Sequence, residues 1–191
     1  MKIILFVEGK GKPSSVVTSI KIIASKKVPI TTGIETRIIQ RGDLLKEDKV
    51  YSQLTNDVLL DHPDAEKIII CIDAECEKEI NEKVKKVEQS LSNKIDKPIL
   101  YVVVVNAVEG WLLADTETIK NSLEHNANVN ISPSATLDCK PKELLKNIFH
   151  KTNKDFIHMR DNPKITERLD IDEAARNNPS LAYFVEKLID P

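Results

Sequence analysis

Short apolar runs alternate with helical stripes along the first part of the chain. Residues 3–7 form an apolar run that ends in Glu8-Gly9. Beyond Pro13 the spacing changes. Val16, Val17, Ile20 and Ile23 recur at helical steps, which predicts a helix with Ser14 as N-cap. Residues 34–40 read as a second strand, ended by Arg41-Gly42-Asp43. Tyr51, Leu54, Val58 and Leu59 mark a second helix, closed by His62-Pro63. Residues 67–72 are a continuous β-branched run of the kind buried on both faces, and Asp73-Ala74-Glu75 follows. Ile80, Val84, Val87 and Leu91 lie on one stripe of a heavily charged helix, and residues 99–105 read as a fourth strand.

Strands alternating with helices predict an α/β fold: a Rossmann-like parallel sheet, flanked by helices, with right-handed crossovers. After Leu112 the pattern turns helical and polar, with loops expected near 126–133 and 155–163. The expected organisation is an α/β core over 1–115 and a helical extension over 116–191 packed on it, one domain overall.

Composition narrows the function classes. The 191 residues suit one sizeable core. The longest apolar runs, 68–72 and 101–105, fall far short of the roughly 18 residues needed to cross a bilayer. Glycine numbers 5, under half the roughly 7% average, which argues against a glycine-rich nucleotide cradle. Gly9-Lys10-Gly11-Lys12 runs into Pro13, so it is not a Walker motif. Lys10 and Lys12 remain candidates for phosphate, with backbone amides at the helix start. Three cysteines without paired spacing predict neither a disulfide framework nor a zinc site, and a cytoplasmic location by default. Basic residues number 28 and acidic 30, so bulk charge does not attract nucleic acid. Polyanion binding would fall to metals and local cations, among them Arg160 and Lys164 in the predicted loop.

The acids fall in a pattern. In open parallel sheets, ligands sit beyond the carboxyl ends of the strands. Glu8 ends the first predicted strand, Asp73 and Glu75 end the third, and Glu109 lies a few residues past the fourth. Asp73 and Glu75 are two apart and can turn to one crevice. Carboxylates on one rim suit a hard divalent cation, which needs only one or two of them plus substrate phosphates. The competing role for each acid is a helix cap or a first-turn charge. Asp115 stands equally between capping the next turn and reaching the site. Gly9, Gly11 and Gly110 gather beside these acids, where backbone is expected to pass close to metal or phosphate.

Together, Val7-Glu8-Gly9 and Asp73-Ala74-Glu75 resemble the Toprim domain of primases, topoisomerases and nucleases. Glu109-Gly110-Trp111-Leu112-Leu113-Ala114-Asp115 resembles the Glu-x-Trp-Leu-Leu-Ala-Asp signature of a family of small Toprim-like proteins. Genes of that family often lie beside an AAA-type or ABC-type ATPase gene. Segments 141–145, 165–170 and 178–184 resemble the family's later helices, so the likeness covers nearly the whole chain. The resemblance implies Glu8 as general acid or base, and Asp73 and Glu75 as ligands of Mg2+, with Mn2+ as a substitute. It implies Glu109 and Asp115 as ligands of a second metal or as the site's edge. Glu75 stands where the family carries aspartate, and the acids that usually follow Val-Glu-Gly are replaced by Gly11, Lys12 and Pro13. No tyrosine is suggested as a nucleophile. The implied activity is nuclease cleavage of nucleic acid, DNA first, with an ATPase partner and a role in defence against phage and other foreign DNA. The alternatives are a non-catalytic Toprim-like subunit that binds or regulates the ATPase, and a small-molecule phosphotransferase or phosphatase. A homo-oligomer is compatible with any of these.

Overall fold

The computed structural model describes residues 1–9, 14–105, 107–123, 130–132 and 139–190. Lys10, Gly11 and Lys12 lie outside the described residues, as does most of the loop expected at 126–133.

Strands β1 (Lys2–Glu8), β2 (Gly33–Ile39), β3 (Lys67–Asp73) and β4 (Ile99–Val104) pair in parallel, in the order β2-β1-β3-β4. This is the expected Rossmann-like α/β sheet. β1 is followed in sequence by β2 on one side and flanked by β3 on the other, so the strand order reverses between β1 and β3. That reversal opens a crevice at their carboxyl ends.

Alternation within the strands divides the core into two layers. Ile3, Leu5, Val7, Ile69, Cys71, Val102 and Val104 face one way. Ile4, Phe6, Ile68, Ile70, Ile72 and Ile99 face the other. Both faces of β1, β3 and β4 are covered, which is why those strands read as apolar runs, while the edge strand β2 is polar and half-exposed. On the second face lie α2 (Arg41–Leu44), α3 (Glu47–Gln53), a π-helical turn (Leu54–Val58) and α4 (Ile80–Ser92). Ile80, Val84, Val87 and Leu91 of α4 are buried, as their stripe predicts.

The first face takes α1 (Ser15–Lys27) and the later helices. These are α5 (Val108–Leu113), α6 (Thr116–Ser122), α7 (Pro141–His150), α8 (His158–Arg168), α9 (Ile171–Asn177) and α10 (Pro179–Ile189). Trp111 anchors them. It is fully buried, stacks on Phe184 at 5.2 Å between ring centroids, and donates from Nε1 to Ser180 Oγ at 2.8 Å. Trp111 therefore belongs to the core and not to the site.

Two expectations are corrected. Residues 158–163 are not a loop: α8 starts at His158 and carries Pro163 inside it. Proline removes one amide, and the carbonyl it strands belongs to Met159, an exposed residue with access to water. The cysteines are not all free either. Cys76 and Cys139 form a disulfide across 63 positions, and Cys71 alone is a buried thiol. No local spacing foretold that pair, because the two segments meet only through the fold.

The α1–α8 contact supplies a small stability prediction. Lys26 Nζ donates to Thr166 O at 3.2 Å and Glu167 O at 2.7 Å, at the carbonyl end of α8. A cation there bonds the last-turn carbonyls and opposes the helix dipole. Lys26→Met is expected to lose about 1 kcal/mol in a denaturant titration. An unchanged midpoint would show that the contact contributes nothing. Among the described residues, no helix is long and apolar enough to cross a membrane.

Candidate functional site

Glu8 is the last residue of β1 and Asp73 the last of β3, so the switch between these strands sets them side by side. Glu8 Oε2 accepts the backbone N–H of Asp73 at 3.2 Å. Beside them a cavity of about 910 Å3 opens. Besides Glu8 and Asp73, its walls include Arg41, Lys142, His158 and Ser14, the N-cap of α1.

Arg41 organises the rim. It follows the end of β2, so the rule that placed the acids at strand ends also places it here. Its Nη1 donates to Asp73 O at 2.7 Å and lies 3.0 Å from Glu75 Oε2 and 4.0 Å from Glu8 Oε2. Its Nη2 donates to Glu77 Oε2 at 3.0 Å. One guanidinium thus links Glu8, the end of β3 and the turn beyond it. Glu75, 62% exposed, is held by Arg41 at the rim.

Glu109 reaches the site from another direction. Ala107 turns the chain sharply after β4 with φ 100, and Glu109 falls in the first turn of α5, only 1% exposed. Asn162 of α8 donates from Nδ2 to Glu109 Oε1 at 2.9 Å, and Lys142 Nζ stands 3.9 Å from the same oxygen. Glu109 Oε2 and Asn162 Oδ1 are buried without a hydrogen-bond partner. Buried orphan acceptors are rare enough to ask for an explanation, such as an ion or ordered water.

The electrostatics set this cleft apart. Burial pushes the Asp73 carboxyl up to about 7, and the charges of Glu8, Glu109 and Glu75 push the same way against Lys142. Burial also lifts Glu8 above the ordinary carboxylate range, opposed by the Asp73 amide and Arg41 and reinforced by Glu75. Carboxylates raised by burial and by neighbouring acids, in a cleft, are a mark of functional sites. Backbone strain collects here too. Glu75 (φ 44), Cys76 (φ 62) and Ala107 (φ 100) are non-glycine residues at positive φ, all just past the ends of β3 and β4. Such residues persist only where surrounding structure holds them, and they cluster at working sites.

Glu8 and Asp73 line the cavity, Glu75 stands at its rim on Arg41, and Glu109 lies buried behind Lys142, while Asp115 joins none of them. It caps α6, with Oδ1 accepting Thr118 N–H at 3.0 Å and Oδ2 accepting Asp170 N–H at 2.9 Å. Both oxygens are spent on backbone amides, so Asp115 is a cap and drops out of the metal set. Gly9 also has a different reason to be glycine: a Cβ there would meet Ile38 Cγ2 at 2.7 Å. Close packing on β2 requires it. Arg160 and Lys164 lie on α8 and line a second hollow rather than the acid cleft. Arg41, Lys142 and Asn162 were not foreseen as site residues. Only Arg41 carried a signal, its place at a strand end.

Comparison with known families gives one result. The model of DUF4276, a domain of unknown function, matches residues 7–189. The chain belongs to this family. The DUF4276 match begins one residue before Glu8 and runs into α10, so it takes in the acid cleft and the helical extension together. No curated protein and no solved structure matches this DUF4276 chain.

Chemically, the cleft suits a hard cation. The Asp73 carboxylate makes no hydrogen bond or ion pair with a described residue, and Glu109 Oε2 is an orphan oxygen. Among the described residues, no three His, Cys, Asp or Glu side chains are grouped to hold a metal by themselves. Magnesium is commonly held by one or two carboxylates with water and substrate phosphate, so the oxygen donors of this DUF4276 cleft fit it.

Proposed function

We propose that the protein is a Mg2+-dependent, Toprim-like phosphodiesterase that cleaves nucleic acid, DNA first. The observation that carries the reading is the Glu8–Asp73 pair at the switch point, with both carboxyls raised above their usual range. Asp73 would hold the metal, with Glu75 and Glu109 beside it. Magnesium there would neutralise charge on the phosphate and favour a hydroxide nucleophile, and Mn2+ would substitute.

The chain's own residues would do the rest. Glu8 would take the proton of the attacking water. Burial raises its carboxyl above the ordinary glutamate value, which makes it a better proton acceptor. Lys142, with an exposed ammonium at the cleft wall, would meet a phosphate oxygen. Arg41 would hold the Asp73–Glu77 turn, so that Asp73 keeps its place when the metal comes and goes. Asn162 would fix Glu109 by its hydrogen bond.

An ATPase partner, a part in defence against foreign DNA and a cytoplasmic site of action complete the proposal, and they rest on the resemblance. In a reducing compartment Cys76 and Cys139 would stand as two thiols.

The test is nicking of plasmid DNA with Mg2+ or Mn2+ in excess. Wild type should cleave, and Glu8→Gln should be slower by about a hundredfold, the usual scale for a lost general base. Cleavage that is unaffected by Glu8→Gln overturns the proposed role. Hydrolysis of a simple phosphate ester without any attack on nucleic acid replaces nuclease by phosphatase.

A further inference from the structure

The start of α8 separates two cavities. His158 and Met159 face the acid cleft. Arg160, Lys164 and Arg168 of the same helix line a second hollow of about 530 Å3, which Lys154 joins from the segment after α7. Phe149 and Ile165 form part of an apolar wall, and the exposed Ile157 sits at the edge. Four cations stand here against two acids, Asp155 and Asp161.

The cations are not equivalent. Arg160 is committed to Asp161, through Nε at 2.6 Å and Nη2 at 2.9 Å, and to Asp155 O at 2.9 Å. The side chains of Lys164 and Arg168 donate no hydrogen bond to a described residue, so they stand ready for an outside anion. They lie four positions apart on one helix and therefore on one face. A simple inorganic anion would use the cations alone. A nucleotide unit would use the cations for its phosphate and the apolar wall for its sugar or base.

The start of α8 stands between the two cavities, and a helix with its side chains is about 10–12 Å wide. At roughly 3.4 Å of rise per nucleotide, that width corresponds to about three nucleotides.

We propose that the second hollow is a flanking-nucleotide subsite. It holds a nucleic-acid strand about three nucleotides from the phosphate in the acid cleft. Lys164 and Arg168 grip the backbone there, and Arg160, fixed by Asp161, shapes the wall. The substrate class is then a polynucleotide strand, because a mononucleotide or a small phosphate ester fills only one of the two cavities. This assignment rests on the nuclease reading of the acid cleft, but it makes a separate claim about binding.

The test is fluorescence anisotropy with a labelled single-stranded oligodeoxynucleotide long enough to span both cavities, titrated at several salt concentrations. The parent is the full chain carrying Glu8→Gln, titrated without divalent metal so that turnover does not interfere. Adding Lys164→Ala and Arg168→Ala should weaken binding by about tenfold or more. It should also reduce the slope of log affinity against log salt by about 1.4, the loss of two single-strand phosphate contacts. A labelled dinucleotide, too short to reach both cavities, should bind the parent at least about tenfold more weakly than the long strand does. Lys164→Gln with Arg168→Gln, of matched size, should behave as the alanine pair does, and unchanged melting temperatures show that the fold is kept. Equal affinity and equal salt slope in parent and variant overturn the subsite, as does failure of the parent to bind the strand at all. Binding that depends on Lys164 and Arg168 while wild type fails to cleave leaves the subsite standing and removes the nuclease reading instead.

Discussion

Asp73→Asn is expected to abolish metal-dependent cleavage and, above neutral pH, to raise the stability of the protein. Both effects come from one feature. Asp73 is a carboxylate held next to Glu8, Glu109 and Glu75, and burial with their charge pushes it up to about 7. Its folded value lies above the ordinary aspartate value, so the native state binds more protons than the unfolded chain from about pH 4 to about pH 7. The sign follows directly. The contribution to stability is full below about pH 4 and is lost progressively as pH rises to about 7. Asparagine never ionises. Near pH 3, where Asp73 is protonated in the folded and the unfolded chain alike, the two proteins should melt together, since a protonated aspartate and an asparagine have similar size and charge. At pH 8 the variant should be more stable by about 2 kcal/mol, or roughly 5 °C, a figure kept below the full shift because Asp73 retains some solvent. Its cleavage rate should fall at least about a thousandfold, roughly 4 kcal/mol of transition-state stabilisation. Mg2+ should raise the wild-type melting temperature at pH 8 and barely move the variant's, because the cation offsets the repulsion that the substitution removes. A variant less stable than wild type at pH 8 would mean that Asp73 is an ordinary structural carboxylate.

Removing the cross-link between Cys76 and Cys139 should have the largest effect on stability. The bond closes a loop of 63 positions. The loss of chain entropy in the unfolded state for a loop of that length is worth about 4 kcal/mol. In a chain of this size that corresponds to roughly 10 °C in melting temperature. The bond also joins two parts of the site. Cys76 sits at φ 62 in the turn after β3, beside Glu75 at φ 44, and Cys139 lies two residues before α7, the helix that carries Lys142. The double change Cys76→Ser with Cys139→Ser should therefore lower the melting temperature and also weaken metal binding, as the turn relaxes out of its left-handed conformation. A reductant should reproduce the loss in wild type and leave the double variant unchanged. Coincident melting curves with and without reductant would show that the bond adds nothing.

Much of the architecture is local information. Apolar runs at 3–7, 67–72 and 99–105 cannot be helices facing water, and their alternation with amphipathic stripes leads to a parallel sheet. The rim of acids was legible for the same reason. Strand ends are local features, and parallel strands bring their carboxyl ends to one edge whatever the loops do. Glu8, Asp73, Glu75 and Glu109 were visible on that ground, and Arg41 was visible in principle.

Tertiary structure alone decided which polar groups each acid meets. Arg41 binds the β3 end from 32 positions away, and Asn162 binds Glu109 from 53. No periodicity encodes such pairs, because they depend on how helices from distant segments cross the sheet. The fates of Asp115 and the cysteines have the same origin. An acid before a helix serves as cap or as ligand according to which amide lies beyond it, and for Asp115 that amide is Asp170, 55 positions on. Cys76 and Cys139 pair because the β3 turn and the approach to α7 are packed together. The sequence by itself determined that carboxylates would share an edge of a buried parallel sheet. Only the packing of α5, α7 and α8 decided which of them keep free oxygens, and those are the oxygens with which a cation can bond.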